Sequence, residues 1–253
     1  TTGGNTFYIK AIRAKLFDEV LFRHRLLTTA GVPAPHVAYT TDDQLMVLDA
    51  LQGQALARAI FNPGDPCTAE QLIEVLDAMP PSVAQLERRP PWSDAVQHYA
   101  EIVSAALPEV RSDLDWAVQR IHAGLAGIPP GNEPTHGDFH EGQIHVAAGR
   151  VVGILDVDTI GPGRRADDLA CLIAHLSTIQ RMNPAQEAKV RDLLARWVPI
   201  FDRRVEPVEL RLRAAAVVIS LATGPYRSQE PSWQESTRQM VRSAVALVKQ
   251  VAS

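Results

Sequence analysis

The stretch "PTHGDFHEGQIHV", residues 134–146, places His136, Asp138 and His140 within five residues, directly before a strand-like run. A zinc site would favour histidines four apart on a helix, but Gly137 and the nearby proline disfavour a helix there. A serine hydrolase would need a G-x-S-x-G nucleophile turn, and the sequence has none. The pattern therefore favours a catalytic loop, and such a loop requires partners elsewhere in the chain.

The composition is that of an ordinary globular protein. The chain has 253 residues, of which 46% are hydrophobic, enough for one large domain or two lobes. A net charge of −4 argues against a nucleic-acid surface, and the longest apolar run, Ala214–Ala222, is too short to span a bilayer. Cys67 and Cys171 form no CxxC pair, which indicates reduced thiols. With no secretory signal apparent, we expect a cytoplasmic protein without nucleic-acid or membrane partners; the oligomeric state stays open.

The hydrophobic pattern predicts a small α+β unit at the start of the chain. It indicates strands over 6–11, 36–40 and 44–49, and a helix over 15–30 that Gly31 and a following proline end. The first strand follows a Gly-Gly-Asn turn signal.

The rest of the chain is predicted to be mainly helical around one β-hairpin. The spacing of Thr68 and Gln71 indicates a capping box, and the pair Ser232/Glu235 resembles one. Ser112 and Asp115 are candidate caps of a further helix. Helices are predicted over 69–79, 94–106, 112–126, 166–181, 185–203, 207–223 and 233–250. The hairpin is predicted from 144–146 and 151–155. The predicted organisation is an N-terminal nucleotide-binding lobe over 1–50 and a helical C-terminal lobe over 51–253, with a ligand in the cleft between them.

The order of the polar residues favours a kinase. Kinase catalytic loops carry an aspartate followed five residues later by a metal-binding asparagine, and a second metal-binding aspartate comes after a hairpin. Here Asp138 precedes Gln143 by five residues, and Asp156 follows the predicted hairpin. Upstream, Lys10 ends "FYIK" on a predicted strand, and Glu19 lies on the next helix.

The chain resembles the aminoglycoside phosphotransferase and choline kinase-like family of small-molecule kinases. The motifs "HGDFHEGQ", "LDVD" and "DDLA", with "GVPAPHV" and "MVLDALQGQAL", match that family's pattern over nearly the whole chain. The resemblance implies an α+β, protein-kinase-like fold with two lobes, a small β-containing N-terminal lobe and a larger helical one. It also implies ATP or another nucleoside triphosphate, and Mg²⁺, as cofactors.

The resemblance implies chemical roles for five residues. Asp138 would be the catalytic base, and Gln143 and Asp156 would hold magnesium. Lys10 would contact the nucleotide phosphates, and Glu19 would orient it. Taken alone, Lys10 could be a solvated lysine and Glu19 a surface helix residue.

The resemblance also implies supporting positions. Asp158 would support a second metal or the loop, His136 would brace the loop, and Asp168 would tie its helix to it. His140 is a further candidate, with a satisfied loop histidine as the alternative, and Asp168 could be a helix N-cap. The segment Val47–Asp49 would supply backbone hydrogen bonds to adenine.

The sequence departs from the family pattern in two places. Gln143 stands where the family has asparagine, a feature similar to maltokinase-like sugar kinases. Only "TTGGNT" precedes the lysine strand, so we expect an N-terminal lobe that is incomplete in this sequence.

These features predict a phosphotransferase that acts on a hydroxyl of a small polar acceptor, aminoglycoside-like or an (amino)sugar. The alternative is a non-catalytic nucleotide- or ligand-binding protein with a kinase-like fold.

Overall fold

A computed structural model describes residues 6–179 and 182–251. The strands are β1 (Phe7–Ala11), β2 (Val37–Thr40), β3 (Leu45–Asp49), β4 (Gln54–Ala55), β5 (Glu133–Thr135), β6 (Ile144–Ala147), β7 (Arg150–Ile154) and β8 (Gly161–Gly163). The helices are α1 (Ala14–Thr29), α2 (Leu56–Ala59), α3 (Ala69–Asp77), α4 (Val96–Ala106), α5 (Arg111–Leu125), α6 (Arg165–Ser177), α7 (Pro184–Phe201), α8 (Pro207–Leu221), α9 (Gly224–Arg227) and α10 (Trp233–Lys249). The predicted Gly-Gly-Asn turn and the predicted helix end at 180–181 lie outside the described residues.

The locally encoded elements agree with their sequence patterns. The three N-terminal strands, the first helix, the hairpin and the long helices all occur close to their predicted positions. The capping box at the start of α3 is confirmed, because Thr68 Oγ1 accepts the Gln71 N–H at 3.3 Å and Gln71 Oε1 accepts the Thr68 N–H at 3.4 Å. Elements of this kind depend on neighbours three or four residues away, which the sequence displays directly.

Two predicted caps are wrong. No side-chain cap hydrogen bond opens α5, which begins at Arg111 directly after a 3₁₀ turn over Pro108–Val110. Ser232 precedes α10 with ψ 28°, outside the extended conformation that a capping side chain needs, and the Glu235 carboxylate binds Arg238 instead. The spacing of a capping box was present in both cases, but the backbone conformation was not.

Contacts divide the chain into two compact units. One consists of Thr1–Glu87 and Glu133–Pro162, and the other of Arg88–Asn132 and Gly163–Ser253. These units are composed differently from the lobes predicted over 1–50 and 51–253, which stay a prediction.

The first unit contains two antiparallel three-stranded sheets. One has the order β1-β3-β2, and α1 packs on it through a core of Val20, Met46 and Leu48. The other has the order β4-β6-β7, in which the predicted hairpin gains the short strand β4. Ala148 and Gly149 connect β6 to β7 with φ of 49° and 73°, the left-handed pair that tight hairpin turns require.

The second unit is a bundle of helices around α8. Almost every residue from Glu209 to Ile219 is buried, which is typical of a helix covered on all sides. Its core joins residues of α4, α5, α6, α8 and α10. Among the described residues, none of the helices has the length and apolarity needed to cross a membrane.

A buried ion pair lies in the first turns of α6. Arg165 Nη1 donates to Asp168 Oδ2 at 3.0 Å, and both side chains are almost fully buried. Asp168 is not the N-cap of α6, the alternative that its position allowed, because Arg164 holds that place. Two charges removed from water together are stable only while both remain.

We expect Asp168→Ala to lower the free energy of unfolding by about 3–5 kcal/mol, because it removes a carboxylate that compensates the buried Arg165 charge. The matched control is Asp192→Ala, which removes an exposed pair with Arg196 and should cost less than about 1 kcal/mol. Urea unfolding of both variants measures the difference. Equal costs would contradict the structural importance of the buried pair.

Candidate active site

The loop between β5 and β6 is held by His136. This side chain is fully buried, and its Nε2 donates to the Leu155 carbonyl at 2.8 Å while its Nδ1 accepts the Asp138 N–H at 3.3 Å. Burial lowers the pKa of His136, although the Leu155 carbonyl and nearby carboxylates oppose that effect. The ring is therefore a neutral brace that orients the backbone of Asp138.

A glycine lets the same loop approach a second segment closely. Gly137 has φ 84°, and a Cβ added there would lie 2.7 Å from the Thr159 carbonyl oxygen. Thr159 Oγ1 also donates to the His136 carbonyl at 2.8 Å. The loop and the segment around Thr159 thus position each other, at a distance that a side chain at residue 137 would prevent.

Asp138 and His140 lie side by side at the end of this loop. Asp138 is about one-quarter exposed, and His140 Nε2 lies 3.9 Å from its Oδ2. Burial would lower the pKa of His140, but the carboxylates of Glu141, Asp138 and Asp156 outweigh it and raise that pKa. The aspartate is accessible to a ligand, and the histidine adds a hydrogen-bonding group beside it.

The hairpin brings Gln143 close to the segment that carries Asp156. The Leu155 N–H donates to the Gln143 carbonyl at 2.7 Å, which closes the open end of the β6–β7 hairpin. Asp156 follows directly with φ 52° and ψ 51°, a left-handed conformation that costs a non-glycine residue about 1–2 kcal/mol. Strain of this kind is found where a side chain must point to one place, so it marks Asp156 as a functional candidate.

Lys10 of β1 joins the two aspartates of "LDVD". Its Nζ lies 2.8 Å from Asp156 Oδ1 and 2.6 Å from Asp158 Oδ2. Burial would lower the pKa of Lys10, but the two carboxylates outweigh it and raise that pKa. The structure therefore brings together three of the predicted site residues from distant parts of the sequence.

Glu19 does not join this cluster in the way the family pattern implies. Its carboxylate binds Arg23, one turn further along α1, whereas the ion pairs of Lys10 are with Asp156 and Asp158. Arg23 is 1% exposed, and a buried guanidinium needs a nearby carboxylate. The expected pair of Lys10 with Glu19 is thus replaced by the pair of Arg23 with Glu19.

The backbone of Val47–Asp49 is occupied within its sheet. Val47 pairs with both neighbouring strands, and the Asp49 N–H donates to the His36 carbonyl at 3.0 Å. Leu51 is different, because no backbone hydrogen bond among the described residues uses its N–H. A backbone donor for a ligand is thus available just beyond the predicted segment.

Asp158 and two residues of α1 complete the candidate site. Burial would raise the pKa of Asp158, but His24 and Lys10 outweigh it and hold that pKa below its usual value. Of these two partners Lys10 is the closer, because His24 Nε2 lies 3.8 Å from Asp158 Oδ1, beyond hydrogen-bond length. Sequence reasoning missed His24 and Arg23, although both interrupt the apolar stripe of Val20 and Leu27. Asp168 belongs to the second compact unit and is described there by its pair with Arg165.

Comparison with known proteins gives one family and one fold. A family model described as a phosphotransferase enzyme family matches residues 10–205. An uncharacterized protein from Deinococcus radiodurans is 38% identical over 65 residues, which make up 25% of this chain and only 19% of that protein. This match therefore spans about a fifth of the relative's length.

Solved structures resemble the whole described chain. A thermostable mutant of the aminoglycoside phosphotransferase APH(4)-Ia is 16% identical, with 100% of this chain and 90% of that chain covered and a TM-score of 0.63. A choline/ethanolamine kinase family protein from Mesorhizobium loti is also 16% identical, with 98% and 87% covered and a TM-score of 0.63. Choline kinase LicA from Streptococcus pneumoniae is 11% identical, with 99% and 88% covered and a TM-score of 0.60. At these identities the likeness shows the fold alone, and the predicted α+β, protein-kinase-like class is confirmed.

The close approach at Gly137 can be tested by adding a single methyl group. A non-glycine residue in the left-handed conformation costs about 1–2 kcal/mol through backbone strain. We expect Gly137→Ala to destabilise the protein by more than this strain alone, because the new Cβ would collide with the Thr159 carbonyl. Gly31→Ala is the matched control, since its φ is 78° and, apart from its two chain neighbours, no described residue has an atom within 4 Å of an added Cβ. Equal losses in urea unfolding would show that the collision is absent.

Proposed function

The chain belongs to the phosphotransferase enzyme family, and from this premise we propose that it transfers the γ-phosphoryl group of ATP, or of another nucleoside triphosphate, to a hydroxyl of a small polar molecule. The observation that carries the proposal is the cluster in which Lys10 pairs with Asp156 and Asp158. Phosphoryl transfer depends mainly on positioning and on the neutralisation of phosphate charge, and such a cluster provides both a cation and metal-binding carboxylates.

Asp138 is proposed as the catalytic base. Its backbone N–H is anchored on His136, and its carboxylate is partly exposed at the end of a braced loop. A carboxylate held in this way can align an acceptor hydroxyl with the γ-phosphorus and take up its proton as the bond forms. His140, next to it, is proposed to support its orientation.

Gln143 and Asp156 are proposed to hold magnesium. Mg²⁺ prefers carboxylate and amide oxygens, and these two residues stand at adjoining ends of the hairpin that the Gln143–Leu155 hydrogen bond closes. Asp156 is 43% exposed, so its carboxylate is accessible to a cation. When bound, magnesium supplies charge that neutralises the phosphate oxygens. The longer arm of glutamine carries the same amide oxygen as the asparagine that the family pattern has.

The nucleotide is proposed to lie along β1 and the connector after β3. Lys10 would contact the phosphates, and the Leu51 N–H would serve the base, because the N–H of Asp49 is already used within the sheet. The Leu51 side chain also packs against Gly153, where an added Cβ would lie only 2.4 Å from it. The connector is thereby held against the hairpin that carries the proposed metal ligands.

The acceptor is proposed to be an aminoglycoside or an (amino)sugar. Structurally similar proteins include choline kinases and an aminoglycoside phosphotransferase that was solved in complex with GDP and kanamycin. The proposed class of acceptor therefore extends over small polar alcohols. Within this class Gln143 favours a sugar, because a glutamine at this place in the loop is similar to maltokinase-like sugar kinases. Because ATP is proposed as the donor, we also expect the protein to act in the cytoplasm.

A screen of ATP consumption tests this proposal. Purified protein with Mg·ATP is offered aminoglycosides, amino sugars, maltose, choline and homoserine, and ADP release is followed for each. Acceptor-dependent ADP release would support the kinase. Binding of Mg·ATP without turnover on any acceptor would favour the rival, a non-catalytic nucleotide-binding protein.

The proposed role of Asp138 as the catalytic base predicts a loss of turnover in a variant that lacks the carboxylate. We expect Asp138→Asn to lower kcat by about 10²–10⁴-fold, the usual contribution of a general base, because the amide cannot accept the hydroxyl proton. The dissociation constant of Mg·ATP, measured by calorimetry, should change little. Asp192→Asn, which alters an exposed aspartate, is the matched control. Turnover by Asp138→Asn at the wild-type rate would refute the assignment.

The role of Gln143 predicts a change in metal dependence. We expect Gln143→Ala to raise the Mg²⁺ concentration needed for half-maximal nucleotide binding by at least about tenfold, since even outer partners of a metal site contribute that much. Gln143→Asn keeps the amide oxygen on a shorter arm and should be affected less. An unchanged Mg²⁺ dependence in Gln143→Ala would exclude this residue as a ligand.

A further inference from the structure

Helix α1 turns two neighbouring polar side chains toward the segment that follows Asp156. Arg23 and His24 are each 1% exposed, which requires polar partners inside the protein. Arg23 Nε donates to the Ile160 carbonyl at 3.3 Å, and its guanidinium also pairs with Glu19. Arg23 thus binds the backbone of this segment.

His24 faces the side chain of Asp158. Its Nδ1 lies 3.4 Å from the Pro35 carbonyl, and its Nε2 lies 3.8 Å from Asp158 Oδ1. Among the described residues, neither His24 Nε2 nor Asp158 Oδ1 has a hydrogen-bond partner, although both atoms are buried. A nitrogen and an oxygen without partners therefore face each other at a distance that a small movement would close to hydrogen-bond length.

Asp158 is also one of the two carboxylates that pair with Lys10. Lys10 pairs with Asp156 and Asp158, and Asp156 is the proposed metal ligand. With Asp156 engaged by a metal and Glu19 engaged by Arg23, Asp158 remains as the carboxylate that orients Lys10. The group that orients Asp158 then controls the position of the lysine.

We propose that His24 is a positioning residue, which donates a hydrogen bond from Nε2 to Asp158 Oδ1 and through Asp158 holds Lys10 in place for the nucleotide. In this chain the helix thus acts on the lysine through His24 and Asp158, in place of a direct glutamate contact. This inference rests on the proposed function, because Lys10 is taken to contact the nucleotide phosphates.

Two substitutions distinguish the contact that His24 makes through Nδ1 from the contact that it makes through Nε2. Asparagine carries its amide about where Nδ1 lies and can keep the contact with Pro35, whereas glutamine reaches about as far as Nε2 and can keep the contact with Asp158. We expect His24→Asn to lower kcat/KM for ATP about tenfold and to weaken Mg·ATP binding about fivefold, the effect of losing one hydrogen bond. His24→Gln should stay within about twofold of the wild type. His122→Asn and His122→Gln alter an exposed histidine of α5 and are the matched controls.

A purely structural role predicts another outcome. If His24 only anchors the Pro35 carbonyl, His24→Gln will be the more impaired variant, or both variants will lower the free energy of unfolding with kcat/KM unchanged. Either result would overturn the proposal, and so would wild-type behaviour of both variants in Mg·ATP binding.

A double-mutant cycle in urea tests the contact without any catalytic assay. We expect His24→Asn and Asp158→Ala, which removes the accepting oxygen, to be coupled by about fivefold in the unfolding equilibrium constant, as for an ordinary hydrogen bond, and additive effects would overturn the contact. If the wild-type protein binds no Mg·ATP, the proposed function fails, and the role of His24 in nucleotide binding fails with it. The cycle still reports whether His24 holds Asp158, so the two failures are distinguishable.

Discussion

The ion pairs of Lys10 with Asp156 and Asp158 are the interaction on which the candidate site depends. They join β1 to a segment almost 150 residues later in the chain. Burial opposes the charge of Lys10, and the two carboxylates compensate for it. The two aspartates thus let a lysine keep its charge at a position that is only partly exposed to water.

The segment from Leu155 to Ile160 is the point where the separate parts of this unit meet. The Leu155 carbonyl accepts from His136 and its N–H donates to Gln143, Thr159 binds the loop between β5 and β6, and Ile160 binds Arg23. So many contacts hold the segment that it can keep Asp156 in a strained left-handed conformation. A few residues therefore position the loop between β5 and β6, the hairpin, the first strand and the first helix against one another.

On the first helix the glutamate of the family pattern is present, but its ion-pair partner differs from the one that the pattern implies. Glu19 lies on the helix where the pattern requires a glutamate, but the buried Arg23 takes its carboxylate. Lys10 pairs instead with Asp156 and Asp158, and His24 of the same helix faces Asp158. The residue types alone could not reveal this exchange, because it depends on which charges are buried together.

The sequence by itself determined the main elements and the family pattern. Apolar periodicity and one capping box located the strands and helices, and the spacing of Asp138, Gln143 and Asp156 identified the kinase pattern. These signals can be read from the chain alone, because each depends on residues within one continuous stretch of sequence. Only the tertiary structure decided the partners of Lys10 and Glu19, the occupied backbone of Asp49 and the strand β4, since these contacts join residues that are distant in sequence or compete for one charge. Such competition is resolved by burial, and burial is a property of the folded chain.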